Sequence, residues 1–366
     1  MTIYIALLSL ICCLGALFYF NGASRLKNKC FIGFAFFPVF IIGALRGNNV
    51  GVDTANYLLG FSILDSGVEN GFYSSTANNW EPLWKVLNYL IGYFTDDPQW
   101  LLVVTSAIIY VGVGVFIYYN CENNESAFWP TFFFITLSVL YPSSLCLLRQ
   151  FCGLVFVVNI HTVLKDSKSS KRLLISMLLL ITGILFHYSA IIGIIILLVE
   201  MLPKISKKHL LIIFILAFSA KIIFPLARLL VLRLLPMYAG YFYLAAFQGE
   251  EMRTYSLLMI ILRSLCCIFI LLFVDAENKG NRGLIDMCYY SNVAIFFTLM
   301  LTDTIMAQRF GYYFEFFIIL LIPRMIKQFK YKNLIYLFAF AFGWAFFIFE
   351  LSKGAQEIVP YQFFWQ

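Results

Sequence analysis

Charge is scarce in this 366-residue chain: Asp, Glu, Lys and Arg make up 12% of it, where a soluble domain carries about a quarter. So few charges cannot clothe a globular surface, and a soluble fold is excluded. Polar punctuation is scarce too: 62% of residues are hydrophobic, and mean hydropathy is +0.86. The apolar runs are unbroken rather than alternating, which excludes a transmembrane β-barrel. Cysteine occurs nine times, but Cys12–Cys13 and Cys266–Cys267 are adjacent pairs in apolar stretches, unsuited to zinc. The polar loops hold essentially no cysteine pair, so no disulfide framework is expected. A phosphate-cradling P-loop and a dinucleotide glycine fingerprint are missing. So is a D-x-D pair of the kind that holds a metal-bound sugar nucleotide. No cofactor, no metal and no nucleic-acid partner are expected. No clear internal repeat appears, which weakens a transporter reading. Before Thr2–Phe20 there is no basic residue, and after it no small-x-small cleavage site. It reads as a retained first span rather than a signal peptide.

What is there is apolar length. A span needs roughly 20 apolar residues, fewer inside a bundle. The expectation is an all-α, polytopic membrane helical bundle of about 12 transmembrane helices, residues 1–366 forming one integral membrane domain. The expected spans are 3–20, 30–45, 99–119, 128–145, 150–164, 173–187, 188–202, 210–224, 256–274, 284–301, 310–323 and 334–350. Basic residues then fall in loops on one side: Arg25/Lys27/Lys29, Lys165/Lys168/Lys171/Arg172, Lys204/Lys207/Lys208, Lys279/Arg282 and Arg324/Lys327/Lys330/Lys332. The positive-inside rule makes that side cytoplasmic and puts both termini outside. Leu173 to Val199 holds no Lys or Arg yet is flanked by Lys-rich loops. It is therefore expected to be a hairpin turning near His187 at its outer end.

The basic residues outside those loops are mostly arginine, whereas the cytoplasmic loops hold 12 Lys against 4 Arg. Orientation needs only charge. Arginine adds a planar fork that grips phosphate in two places. Arg46, Arg149, Arg309, Arg228 and Arg233 are thus candidates for phosphate contact, with interfacial snorkelling the alternative. Arg263, inside a span, suits either an internal ion pair or a ligand contact.

Two outer segments are long. The first, 46–98, opens with Arg46-Gly47-Asn48-Asn49-Val50-Gly51-Val52-Asp53-Thr54-Ala55-Asn56-Tyr57, a polar stretch in which glycines permit tight turns. An Arg46–Asp53 pair across that turn is one outcome. Further on, Pro82 suits a helix first turn, and apolar residues recur at 83, 86, 87, 90, 91 and 94. A short interfacial or re-entrant helix is expected over about 81–95, with Trp80 and Trp84 at headgroup depth. Glu81 either complements its dipole or serves a site. The second segment, 225–255, interleaves Arg228, Arg233 and Arg253 with tyrosines. Shorter outer sites place Arg149-Gln150, His187 and Arg309, with Tyr312 and Tyr313, within or beside apolar helix. Polar groups there are costly and face the bundle interior or a cavity.

Taken in order, these segments resemble the EpsG-like family, which belongs with the Wzy-type O-antigen and exopolysaccharide polymerases. Arg46 followed by Gly51-x-Asp53-Thr54-x-x-Tyr57 resembles its first signature. Glu81-Pro82, Leu148-Arg149-Gln150 and Phe186-His187-Tyr188-Ser189 resemble its next three steps. Arg309-x-x-Tyr312-Tyr313 with Pro323, and Pro360-Tyr361, resemble its last two. The match runs from about residue 45 to 361, nearly the whole chain.

The resemblance implies a glycosyltransferase of the bacterial plasma membrane that joins oligosaccharide repeat units carried on undecaprenyl diphosphate. It needs no metal, and undecaprenyl diphosphate is the leaving group. Membrane lipids and a chain-length regulator protein are the implied partners. Arg46, Arg149 and Arg309, with Gln150, would hold the diphosphate. Asp53, Glu81 and His187 are the candidate bases, with Asp53 and His187 preferred. Tyr57, Arg228, Arg233, Tyr312 and Tyr313 are further candidates for sugar or phosphate contact. The three arginines Arg46, Arg149 and Arg309 are expected to share one outward-facing pocket. The rival activities are a ligase that moves a lipid-linked polymer to a lipid acceptor and a flippase or exporter.

Overall fold

Apolar length decides which segments become long helices. The computed structural model describes residues 1–65, 80–122, 124–137, 140–202, 206–234, 254–275, 278, 281–300 and 306–366. Most of the expected outer loop 225–255 lies outside the described residues, as do 66–79, 301–305, Lys204 and Lys279. Helices in chain order are α1 (Thr2–Tyr19), α2 (Arg25–Ala44), α3 (Thr54–Asp65), α4 (Pro82–Gly92), α5 (Gln99–Asn120), α6 (Phe128–Thr136), α7 (Tyr141–Cys146), α8 (Leu148–Leu164) and α9 (Ser170–Phe186). A 3-10 turn, Tyr188–Gly193, leads into α10 (Ile194–Met201). Then follow α11 (Lys207–Phe218), α12 (Ala220–Leu234), α13 (Thr254–Phe273), α14 (Arg282–Met300), α15 (Met306–Glu315), α16 (Ile318–Lys327) and α17 (Lys332–Ser352). Among the described residues there is no strand, only an isolated bridge between Arg46 and Phe363.

The chain is an all-helical membrane protein. Among the described residues α1, α2, α5, α13, α14 and α17 are long and apolar enough to cross a membrane singly. The bent pair α11–α12 would make a seventh. The other expected spans are shorter or broken. Span 128–145 divides into α6 and α7, with Leu137 extended at the break and Pro142 in the first turn of α7. Span 188–202 begins as a 3-10 turn. Span 310–323 divides into α15 and α16. Helix resumes after Ser219 with a 56° bend and runs through Pro225 to Leu234, where an outer loop was expected to begin. Hydropathy reports composition, whereas these breaks depend on backbone continuity, so the two readings part.

The chain divides into two compact units, residues 1–197 with 331–366, and residues 198–330. In the first, α2 packs on α5, α5 on α8, and α8 on α9. Helices α8 and α9 form an antiparallel hairpin whose backbones meet at glycine. A Cβ added to Gly153 would lie 2.8 Å from the Gly183 carbonyl oxygen. Small residues allow such close approach where lipid offers no hydrophobic drive. The Ser169 hydroxyl caps the start of α9 by accepting from the Arg172 amide. One turn before Gly153 stands Arg149; one turn after Gly183 stands His187. Both therefore lie at the same end of the hairpin.

Helix α4 packs against α3, α5 and α9. Its packed stripe is Trp84, Asn88 and Ile91. The apolar stripe read from the sequence at 83, 86, 87, 90, 91 and 94 is largely turned outward: Val86 is 47%, Leu90 56% and Phe94 81% exposed. Lipid accepts an apolar face as readily as a protein core does, so periodicity locates a stripe without saying what covers it.

In the second unit, α14 packs against α11, α13, α15 and α16. Arg263 of α13 is buried there 3.7 Å from Glu315, the internal ion pair. The Thr298 hydroxyl donates to the same carboxylate. Tyr290 donates to Glu200 over 2.6 Å and stacks on Phe317.

Candidate functional site

Four chain segments of the first unit meet at the Arg149–His187 end of the hairpin. Glu81 sits at the N-cap of α4, with Pro82 in the first turn, yet its side chain makes no cap hydrogen bond. It reaches across instead. One carboxylate oxygen, Oε2, accepts from Arg149 over 2.6 Å. The other, Oε1, lies 2.5 Å from His187 Nδ1 and accepts the Tyr188 amide at 3.3 Å. The partners stand 68 and 106 positions from Glu81 in the chain. The Glu81 side chain is only 4% exposed, His187 13% and Arg149 21%.

Burial by itself would raise the pKa of Glu81. The His187 hydrogen bond and the positive charges of Arg149 and His187 outweigh burial and bring its pKa down to about 2. Glu81 is therefore a carboxylate at any physiological pH, and a carboxylate only accepts hydrogen bonds. It follows that Nδ1 of His187 carries its proton, and in the neutral ring Nε2 is the basic nitrogen. His187 itself is extended, just past the end of α9, where the chain reverses.

Aromatic rings wall the arginine. The Arg149 guanidinium carbon lies 5.8 Å from the Tyr57 ring centre and 5.7 Å from that of Trp80, within cation–π range. Arg149 also has a side-chain hydrogen bond with Tyr57. Tyr57, Trp80 and Trp84 pack ring against ring at 5.4 to 6.4 Å. Trp80 fits only because residue 60 is glycine, where a Cβ would lie 2.0 Å from the indole. Trp80 and Trp84 are both buried within the protein. The Nε atom of Arg149 is buried with no hydrogen-bond partner among the described residues.

The remaining predicted residues are placed differently. Arg46 is completely buried. It donates to the carbonyls of Gly43 and Leu145, the latter at 2.7 Å. Gln99, which sequence reasoning missed, donates to Ala44 and Arg46 carbonyls at 2.5 and 3.2 Å. A buried helix end must satisfy its last carbonyls, and Arg46 and Gln99 do so here. Arg46 and Arg149 therefore have separate hydrogen-bond partners. Asp53 directly precedes α3, and its carbonyl accepts the Tyr57 amide. Gln150 is buried next to Arg149 on α8. Arg228 and Arg233 lie on α12, and Arg309, Tyr312 and Tyr313 on α15, all in the second unit. Of these, Tyr312 and Tyr313 are buried.

Of the segment 354–364, sequence reasoning singled out only Pro360-Tyr361. The segment lies along the first signature: Gly47 donates to Gln362 and Phe364 to Leu45, at 2.8 and 3.0 Å. The Tyr361 hydroxyl donates to Ile42 at 3.0 Å.

The model of the EpsG family matches residues 29–363. No curated protein matches the chain, and no solved structure does. The matched span contains the whole Glu81–Arg149–His187 cluster.

Proposed function

Because the chain belongs to the EpsG family, a family of Wzy-like polymerases, we propose that it joins lipid-linked oligosaccharide repeat units into a surface polysaccharide. The units are carried on undecaprenyl diphosphate at the outer face of the bacterial plasma membrane. The observation that carries this reading is the Glu81–Arg149–His187 cluster. It assembles a carboxylate-oriented histidine and an aromatic-walled arginine from three separate family motifs.

The roles proposed are these. A sugar hydroxyl of one unit attacks the anomeric carbon of the growing chain, and its proton passes to His187 Nε2. The bond from that carbon to the diphosphate breaks, and the leaving group takes the electron pair. Arg149 stabilises the charge that builds on it, in a partly dry setting where such stabilisation is strongest. Glu81 does not titrate in this cycle. It holds the imidazole in the right tautomer and the guanidinium in place, a positioning role like that of the acid in a catalytic triad. Asp53 is the reserve base.

The test is deletion of the gene and complementation with His187→Gln or Arg149→Lys, followed by gel analysis of surface polysaccharide. Single-repeat material in place of long chains, with protein still in the membrane, is the expected result. Normal ladders from both variants would remove the proposed site.

A further inference from the structure

We infer that the strap of residues 354–364 positions the candidate site by holding the loop that sets Tyr57 against Arg149, with Gln356 and Glu357 as the residues that do so. The inference rests on reading the Arg149 cluster as the active site.

The strap engages the loop 45–52 at both ends. At one end it makes the Gly47–Gln362 and Phe364–Leu45 hydrogen bonds. At the other, the Gly51 amide donates to the Glu357 carbonyl at 3.1 Å, and the Val52 amide to the Gln356 carbonyl at 3.3 Å. The Cys146 thiol of α7 donates to that same Gln356 carbonyl at 3.2 Å. The Gln356 side chain donates to Ser143 at 3.3 Å. Behind the strap, the Tyr4 hydroxyl donates to the buried Ile358 carbonyl at 3.0 Å.

The backbone that aims these carbonyls is unusual. Gln356 and Glu357 have φ of 55° and 54°, in the left-handed region that side chains other than glycine seldom enter. Residues held there persist only where their surroundings fix them, and such residues cluster at functional sites. Here two in succession turn their carbonyls onto successive amides of the loop. Immediately after those amides come Asp53 and then α3, with Tyr57 on its first turn. The Tyr57 ring meets Arg149. Strap, loop, helix and guanidinium thus form one continuous chain of contacts.

Two substitutions separate backbone from side chain. Gln356→Gly and Gln356→Val both lose the bond to Ser143, but only glycine keeps easy access to positive φ. Turnover per folded molecule on a lipid-linked repeat unit is expected to fall on the order of tenfold to a hundredfold in Gln356→Val. In Gln356→Gly it should stay within about twofold of the parent, as its φ preference allows. A second readout needs no activity. Val50 is fully buried in the loop, so Val50→Cys should react slowly with maleimide, located by mass spectrometry. It should react several-fold faster when combined with Gln356→Val. Faster labelling without polymerase activity even in the parent would sustain the strap and sink the polymerase reading. Equal labelling and equal turnover in the valine and glycine variants would overturn the inference. So would a valine variant that melts early yet turns over normally when folded.

Discussion

Glu81 shows how one residue's role depends on its partners. Read as the start of a helix, it could complement a dipole or serve a site. Its carboxylate spans Arg149 and His187. Because its pKa is depressed from 4.5 to about 2, it contributes stability that is fully present above pH 4.5. That contribution disappears as pH falls through about 2. Acid unfolding of purified protein should therefore show a limb in that window that Glu81→Gln lacks. If the two proteins lose stability in parallel between pH 4.5 and 2, the depressed pKa is refuted. Arg46 contrasts with Arg149. Removing a buried, hydrogen-bonded guanidinium orphans its acceptors at roughly 1–3 kcal/mol each. Arg46→Ala is thus expected to lower melting temperature and membrane yield. Arg149→Lys keeps the protein folded and loses long polymer. Thermal melts of the two variants beside the ladder assay distinguish structure from chemistry.

Helix pairs turn these residues into a site. The α8–α9 crossing depends on Gly153 and Gly183 lying backbone to backbone, and Arg149 and His187 each sit one turn from it. Gly183→Leu should push the helices apart by an ångström or more. A misplacement of that size costs a well-oriented reaction on the order of a hundredfold. The expected outcome is protein that remains in the membrane with ladders collapsed to short products. A Gly183→Leu variant with full-length chains would show that the crossing does not set the site. That signal was present in the sequence as two glycines at matched distances from Arg149 and His187. It gains meaning only once the two helices are known to be antiparallel neighbours. The packed stripe of α4 was not legible in the same way. Apolar residues lie on both its faces, and in a membrane both faces have an apolar place to go.

At the scale of the whole molecule, the basic loops predict orientation. A cysteine placed at Ser169 should label only from the cytoplasmic side, and one at Tyr93, 84% exposed, only from outside. Reversed labelling of either would invert the reading in which sugar chemistry faces outward. The sequence by itself determined that this chain lives in a membrane, because too few charges and too much apolar length leave no other solvent for it. It also determined the set of motif residues, since arginine, histidine and glutamate beside apolar helix are too costly to stand without a purpose. Only the tertiary structure decided which of those residues meet. Glu81 and His187 are separated by 106 positions, and no local pattern encodes a contact that two helix ends and a close glycine crossing create. It also decided that Arg46 is held by backbone carbonyls, because the demand for hydrogen bonds at a buried helix end arises only when the end is buried.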